Sequence, residues 1–420
     1  MKSIYLDYAS ITPVDPKVRK EMDKWNKEPL NPSSIHLLGV KAKKALDMAR
    51  KGAADFLHAH PDEIVFTSGG TEANALALEG VAKAAQQNGI ARPHLIISAI
   101  EHSSILETAN MLEKHGVEVT RLSVDGNGLV SLNELKKAVK PETFLISIMT
   151  ANNEIGTIEP IREIAKVIRD ARKRFESEAP DTSFVRPPGE PSERELGLGN
   201  RGMAGRKNVS GAEARYPLFH TDACQAALYE EMNVDKLGVD LLTLDGSKIC
   251  GPRGIGALYV KRGTPIEPLI YGGGQERGLR AGTENVPGII GFAKALELIK
   301  KQEGKSKKES ARVSELRDYF ESEVKKLYLD AKVNAVDAPR MPHISNISFP
   351  KTDAEMLVLR LDAKGIAIST KSACLRDEDE SYVLRAIGAD SKSSLRFSFG
   401  RWTKKGDFKK TLSLLKKFLA

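Results

Sequence analysis

Apolar residues along this 420-residue chain follow two alternating rhythms. Compact apolar runs lie at 64–66, 94–99, 117–124, 144–149, 218–221, 241–244 and 255–260. Each is short, bounded by turn-forming residues, and reads as a strand. Between them the period lengthens. Ala42, Ala45, Ala49, Ala53 and Phe56 share one helical face, which Asn31-Pro32-Ser33-Ser34 is placed to start and His58-Ala59-His60-Pro61 to stop. Further helical stretches run from Gly70 to Ala85, over 132–139 and up to Leu298. Strands alternating with helices predict an α/β fold with a large, doubly wound, mostly parallel sheet.

From 301 onward the rhythm changes to helices with strands at 344–349 and 366–369, the pattern of a second, smaller α+β domain. Tyr5 to Pro13 reads as an extended arm closed by a proline turn. The expected division is a large domain over 14–300 and a small one built from 1–13 and 301–420. One stretch fits neither rhythm. Residues 177–216 hold 6 Gly and 4 Pro, mixed charge and few large apolar side chains. Such a stretch buries little and is expected to be a flexible insertion, on the sheet edge away from the strand carboxyl ends.

Composition then narrows the class. An apolar fraction of 41% and a charged fraction of 29% are those of an ordinary globular protein. No apolar run approaches the roughly 18 residues of a membrane span. Asp7 interrupts the place where a leader peptide would build its apolar region, so a cytoplasmic protein without membrane contact is expected. The formal net charge is +8, yet lysines and arginines are spread along the chain. Their densest stretch, 404–417, interleaves them with Phe408, Leu412, Leu414 and Leu415, as on the solvated face of an amphipathic helix. Direct nucleic-acid binding is therefore not expected. Cys224, Cys250 and Cys374 are odd in number and lack zinc-ligand spacing, which argues against a disulfide framework and a zinc site.

Ligands of open α/β sheets bind outside the carboxyl ends of the strands. At those ends this chain places Thr71, His102, Asn153, Asp222 and Lys248. Gly69-Gly70-Thr71 follows a strand and opens a helix, so free N–H groups and the helix dipole form an anion seat. An ordinary capped helix gives the same pattern, and neither a P-loop lysine nor dinucleotide spacing is present. Lys248 follows the 241–244 strand among small residues, the setting of a lysine that forms a Schiff base with an aldehyde cofactor. The alternative is a surface lysine in a β-hairpin. For pyridoxal phosphate (PLP), Asp222 suits the ring nitrogen and His102 a ring face, while Gly70 and Thr71 suit the phosphate. Asn153 and Gln225 suit the phenolic oxygen, and Arg396 a substrate carboxylate. Singly, these are a core histidine, turn residues and a surface arginine; together they point to one crevice.

Motifs at 5–13, 66–74, Glu101-His102, 152–156, 220–225, 246–260, 272–286, 372–374, 381–386 and 396–401 span almost the whole chain. In that order they resemble the cysteine desulfurases of the NifS/IscS type, within the class V aminotransferase-like PLP enzymes. The resemblance implies the aspartate aminotransferase-like fold of PLP-dependent transferases and a homodimer. It implies that Lys248 is the Schiff-base lysine, Asp222 the partner of the pyridine nitrogen and His102 the stacking ring. Thr71, Gln225 and Asn153 would contact the cofactor, and Thr283 would reach the phosphate held by the other subunit. L-cysteine would become L-alanine, with a persulfide on Cys374 passed to a sulfur-acceptor protein, an iron–sulfur scaffold or a tRNA-thiolation enzyme.

The chain departs from the family pattern around the lysine. Ser247 stands where histidine is usual, and Asp245 where a phosphate-binding Ser or Thr is common. Lys371 replaces the glycine ahead of Ser-Ala-Cys, and Ser10-Ile11 replaces Ala-Thr. A carboxylate beside a phosphate dianion is unfavourable, so Asp245 predicts weaker cofactor binding or an altered local fold. Two other readings stay open: a catalytically weakened PLP-fold protein acting as a binding or regulatory partner, and a related PLP lyase or aminotransferase. Cys374 speaks against the aminotransferase, because transamination needs no thiol.

Overall fold

The computed structural model describes residues 3–178, 216–300, 303–371 and 380–419. Cys374 and all but the ends of the stretch read as an insertion lie outside the described residues. After β1 (Ile4–Tyr5), seven strands form one sheet: β2 (Ile64–Thr67), β3 (His94–Ser98), β4 (Glu118–Leu122), β5 (Thr143–Ser147), β6 (Leu218–Asp222), β7 (Leu241–Asp245) and β8 (Gly256–Val260). Their order is β2-β8-β7-β6-β5-β3-β4. All run parallel except β8, which is antiparallel to both β2 and β7. β7 and β8 are joined by a short turn with no crossover helix, and such a link permits only antiparallel pairing. Lys248 therefore does sit in a hairpin-like connection, but one inside an otherwise parallel sheet.

Helices cover both faces: α1 (Pro16–Trp25), α2 (Leu37–Leu57), α3 (Gly70–Gln87), α4 (Ser103–Lys114), α5 (Leu132–Ala138), α6 (Ile161–Glu178), α7 (Val234–Leu237) and α8 (Val286–Lys300). Alternate strand residues face opposite helical layers. Phe66, Ile96, Ile146, Phe219 and Leu242 pack with α2, α6 and α8. Val65, Leu95, Ile97, Leu145 and Leu241 pack with α3 and α4. The start of α2 differs from expectation. Asn31 turns its side-chain carbonyl onto the Ser33 N–H at 2.9 Å, so the cap falls later, on His36, whose Nδ1 accepts from Gly39 N.

The remainder has its own core. α9 (Glu303–Leu327), β9 (Lys332–Val333), β10 (Ile344–Ser348), α10 (Ala354–Asp362), β11 (Ile366–Ala367), α11 (Tyr382–Ala386), β12 (Ser394–Ser398) and α12 (Lys405–Leu419) follow in order. The antiparallel sheet β12-β10-β9 packs on Phe320, Phe397, Phe399 and Phe408, with ring centroids 4.8–5.5 Å apart. β1 pairs with β11, and Leu6 belongs to this second core. From there the N-terminal arm runs across to the large sheet.

Candidate active site

Because six strands of the large sheet run parallel, their carboxyl ends gather on one edge. β2, β3, β5, β6 and β7 there lead into Gly70, His102, Asn153, Asp222 and Lys248 respectively. These residues line a single cavity of about 190 Å³, together with Thr71, Asn74, Ser104, Gln225, Asp245 and Arg396. The structure thus brings together nearly every residue that the sequence placed at strand ends. Two do not line it. Ser247 contributes elsewhere through its backbone, its carbonyl accepting from Thr12 N at 2.8 Å and Thr12 Oγ1 at 2.7 Å. Thr283 is exposed on the loop before α8.

Asp222, only 6% exposed, is held on both oxygens. Cys224 N donates to Oδ1 at 2.9 Å and Asn74 Nδ2 donates to Oδ2 at 2.7 Å. The same Asn74 nitrogen donates to Ser104 Oγ at 2.9 Å, and Ser104 Oγ lies 2.9 Å from His102 Nδ1. Ser104 N also donates to that Nδ1 at 3.2 Å, making His102 the N-cap of α4. With Nδ1 an acceptor, a neutral His102 ring carries its proton on Nε2. One chain of hydrogen bonds therefore links Asp222 to the imidazole. Asn74 and Ser104 were missed as site residues. The available signal was that Asn74 sits one turn after Gly70, on the same helical face.

The N-terminal arm forms a wall of the cavity. Lys248 Nζ donates to the Ser10 carbonyl, and Gln225 Nε2 donates to the Ala9 carbonyl at 2.9 Å. Thr12 straps the arm to the lysine turn, accepting from Cys250 N at 2.8 Å. Arg396 is 1% exposed and so is no surface arginine. Its Nη1 donates to Asn153 O at 2.9 Å, and its Nη2 to Asp7 Oδ1 at 3.0 Å and Ser10 Oγ at 2.6 Å. Arginine has five N–H groups, which leaves Nε–H and one Nη1–H for another acceptor. Arg396 Nε, Asn153 Oδ1 and Asn74 Oδ1 are buried without a hydrogen-bond partner among the described residues. Buried polar atoms are ordinarily paired, so these three suit a polar ligand.

Below the cavity, burial sets protonation. Glu101 is fully buried, accepting from Ser98 Oγ at 2.7 Å and Met149 N at 2.9 Å. Burial, with Asp222 and Glu159 nearby, pushes its carboxyl up to about 8. His220 bridges Ser147 on β5 and Thr243 on β7, and burial holds it neutral, down at about 4. Cys224 and Cys250 are buried as expected. Burial pushes the Cys224 thiol well up, with Asp222 and Asp245 adding to it, and the Cys250 thiol up to about 11.

The residues assigned to PLP by resemblance can be tested against this geometry. The ring end fits: a buried, doubly held carboxylate, a histidine of fixed orientation and a lysine share one cavity with unpartnered polar atoms. The other end is different. At the N-terminus of α3, Asp245 Oδ2 accepts from Gly70 N at 3.0 Å, while Oδ1 accepts from Ser247 N at 2.7 Å. The seat expected for an anion thus already holds a carboxylate of the chain.

Comparison with known proteins agrees with the geometry. The Aminotransferase class-V family profile matches residues 4–175 and 209–410. The gap, 176–208, falls almost wholly within the stretch read as an insertion. The cysteine desulfurase IscS of Dictyoglomus turgidum is 41% identical over 424 residues, covering 100% of this chain and 95% of the relative. The cysteine desulfurase IscS of Methanosarcina thermophila is 39% identical, with 99% and 91% covered. Among solved structures, a NifS-like protein superposes with a TM-score of 0.82 at 30% identity, covering 99% of both chains. SspA in complex with cysteine superposes with a TM-score of 0.73 at 32% identity, covering 96% of this chain and 100% of the other.

Proposed function

The chain belongs to the class-V aminotransferase family and stands there among the cysteine desulfurases; we propose that it takes sulfur from L-cysteine, releases L-alanine and leaves the sulfur as a persulfide on Cys374. The observation that carries this reading is the convergence of Lys248, Asp222 and His102 on one cavity. The pyridoxal ring of PLP would be held by Lys248 and these neighbours and would supply an electron-withdrawing group.

The other roles belong to side chains. Asp222, oriented by Asn74, holds a proton at the ring nitrogen. Gln225 and Asn153 would supply polar contacts to the ring, and Thr71 stands at the exposed mouth of the cavity. The remaining Nη1–H of Arg396, beside Asn153, orients the substrate carboxylate. Lys248 Nζ moves the proton at the substrate α-carbon, and His102 Nε2 holds a proton at the ring face. Cys374, as thiolate, attacks the substrate sulfur. An S–S bond forms as the Cβ–S bond breaks, and the electron pair left on Cβ takes a proton to become the methyl group of alanine. Lys371, three residues before Cys374 in the chain, lines a groove of mixed charge with Arg121, Lys392, Glu107, Asp353 and Glu380, a polar surface suited to an acceptor protein. The acceptor on this reading is a protein of iron–sulfur assembly or tRNA thiolation.

We read the molecule further as a cytoplasmic homodimer of two-domain chains. Ile35, Leu37 and Tyr271 are 98%, 88% and 72% exposed. Arg50 clasps Glu276 through bonds of 2.8 and 2.5 Å, which ties the glycine-rich loop carrying Tyr271 and Thr283 to α2. A second copy covering this face supports the assignment of Thr283 to the partner's site. Two cores support the division into 14–300 and 1–13 with 301–420, with Ala9, Met341 and Ile344 of the smaller part reaching into the larger core. Among the described residues no helix is long and apolar enough to cross a membrane. The test is alanine and sulfide formation from L-cysteine in the presence of a thiol reductant. Lys248→Ala and Cys374→Ala should each lower both by about 100-fold or more. Sulfide release that survives Cys374→Ala would overturn the persulfide route.

A further inference from the structure

We infer that Asp245 is a resident anion in the seat at the N-terminus of α3, and that it turns the site away from a phosphate-bearing aldehyde and toward unphosphorylated pyridoxal. The inference rests on the reading of Lys248 as the aldehyde-binding lysine. Gly69, the N-cap of α3, has no side chain to satisfy the first helical N–H groups. Asp245 satisfies the first of them across 175 positions of sequence, through the 3.0 Å bond from Gly70 N to Oδ2. The carboxylate sits directly on the glycine, since a Cβ at Gly70 would lie 3.3 Å from that oxygen. The Gly70 N–H, the first of the free groups at the positive helix end that would otherwise receive a ligand's anion, is thereby engaged from within.

Charge bookkeeping points the same way. Glu72, also in the first turn, accepts from Ser68 N at 2.8 Å, but its charge is met by Arg280 at 2.9 Å. Asp245 has no ion-pair partner among the described residues; both of its oxygens accept only backbone N–H groups. The seat therefore holds a carboxylate with no cationic side chain paired to it before any ligand arrives. A phosphate dianion entering it either meets that charge at close range or must displace the carboxylate from two hydrogen bonds, and both oppose binding. The ring end is untouched, because Asp222, Asn74, Ser104 and His102 form a separate network. An aldehyde bearing a neutral hydroxymethyl arm avoids the conflict and can donate to the Asp245 carboxylate.

The experiment strips the full-length protein of bound aldehyde and titrates it with PLP and, separately, with pyridoxal. Borohydride traps the adduct, and intact mass measures its yield. In Asp245→Ser, PLP affinity should rise by about tenfold or more while pyridoxal affinity stays level or falls, as removal of one like charge and one charged acceptor requires. Asp245→Asn, which keeps one oxygen as acceptor, should shift the PLP-to-pyridoxal ratio the same way and guards against loss of the helix cap. An unchanged ratio in both variants, or weaker PLP binding in both, overturns the inference. Adducts that persist in Lys248→Ala overturn the underlying assignment of the lysine, and do so whatever the ratio.

Discussion

Asp222 and Asp245 close two neighbouring strands in the same way and serve opposite ends of one cavity. Each is the last residue of its strand. Each accepts on Oδ1 from the N–H two residues ahead, Cys224 at 2.9 Å and Ser247 at 2.7 Å. Each turns Oδ2 to α3, Asp222 to the Asn74 side chain and Asp245 to the Gly70 backbone. Gly70 and Asn74 stand one helical turn apart, so a single helix face spaces the two carboxylates. The difference lies in what each meets. A side-chain amide orients Asp222 and leaves its charge for a cation in the cavity, whereas the end of a helix absorbs the charge of Asp245. Identical turn chemistry thus takes its role from the partner on α3.

The sharpest way to break the comparison is to neutralise each carboxylate in turn. Asp222→Asn keeps an acceptor for Cys224 N but removes the charge, and should lower the rate of alanine formation by about 100-fold or more. Asp245→Asn, assayed at saturating aldehyde, should leave that rate within about twofold if its charge serves only the helix end. A milder probe is Asn74→Ala. It leaves Asp222 with the Cys224 N–H alone and cuts the link through Ser104 to His102, and should lower kcat/KM by about tenfold, the worth of one charge-assisted hydrogen bond.

Arg396 lies between the two ends, and Arg396→Lys should act mainly on KM for cysteine. A lysine cannot hold Asn153, Asp7 and Ser10 while still offering an N–H to a carboxylate, so KM should rise by about tenfold with a smaller change in kcat.

The smallest effect concerns Glu101, beneath Asp222. Its carboxyl moves from 4.5 to about 8 on burial. A raised value means that folding favours the protonated form; that contribution is complete below about 4.5 and fades as pH rises through about 8. The melting temperature of the wild type should therefore fall more steeply between pH 6 and 8.5 than that of Glu101→Gln, by about 2 °C. Parallel slopes would contradict a neutral Glu101.

The α/β rhythm was legible because short apolar runs and longer helical periods are local properties. The positions of Lys248, Asp222 and His102 were legible for the same reason, since parallel strands deliver their ends to one edge. What the chain hid is contact across sequence distance. Lys248 meets Ser10 and Arg396 meets Asp7, pairs separated by 238 and 389 positions, and no periodicity encodes them. Asn74 and Ser104 look like ordinary polar residues of a first helical turn until α3 and α4 pack side by side. Asp245 was visible as a departure in type, but its occupation of the Gly70 N–H needed the turn geometry. Ser247 and Thr283 show the converse, residues near the motif that do not line the cavity of their own chain.

The most direct measurement is peptide mass spectrometry of the three cysteines after brief exposure of the protein to L-cysteine. Burial keeps Cys224 and Cys250 protonated, and only a thiolate attacks efficiently. The account predicts one added sulfur on the Cys374 peptide of the wild type, none on the other two, and none on any in Lys248→Ala. Sulfur on Cys224 or Cys250 in place of Cys374, or on Cys374 without Lys248, would contradict it.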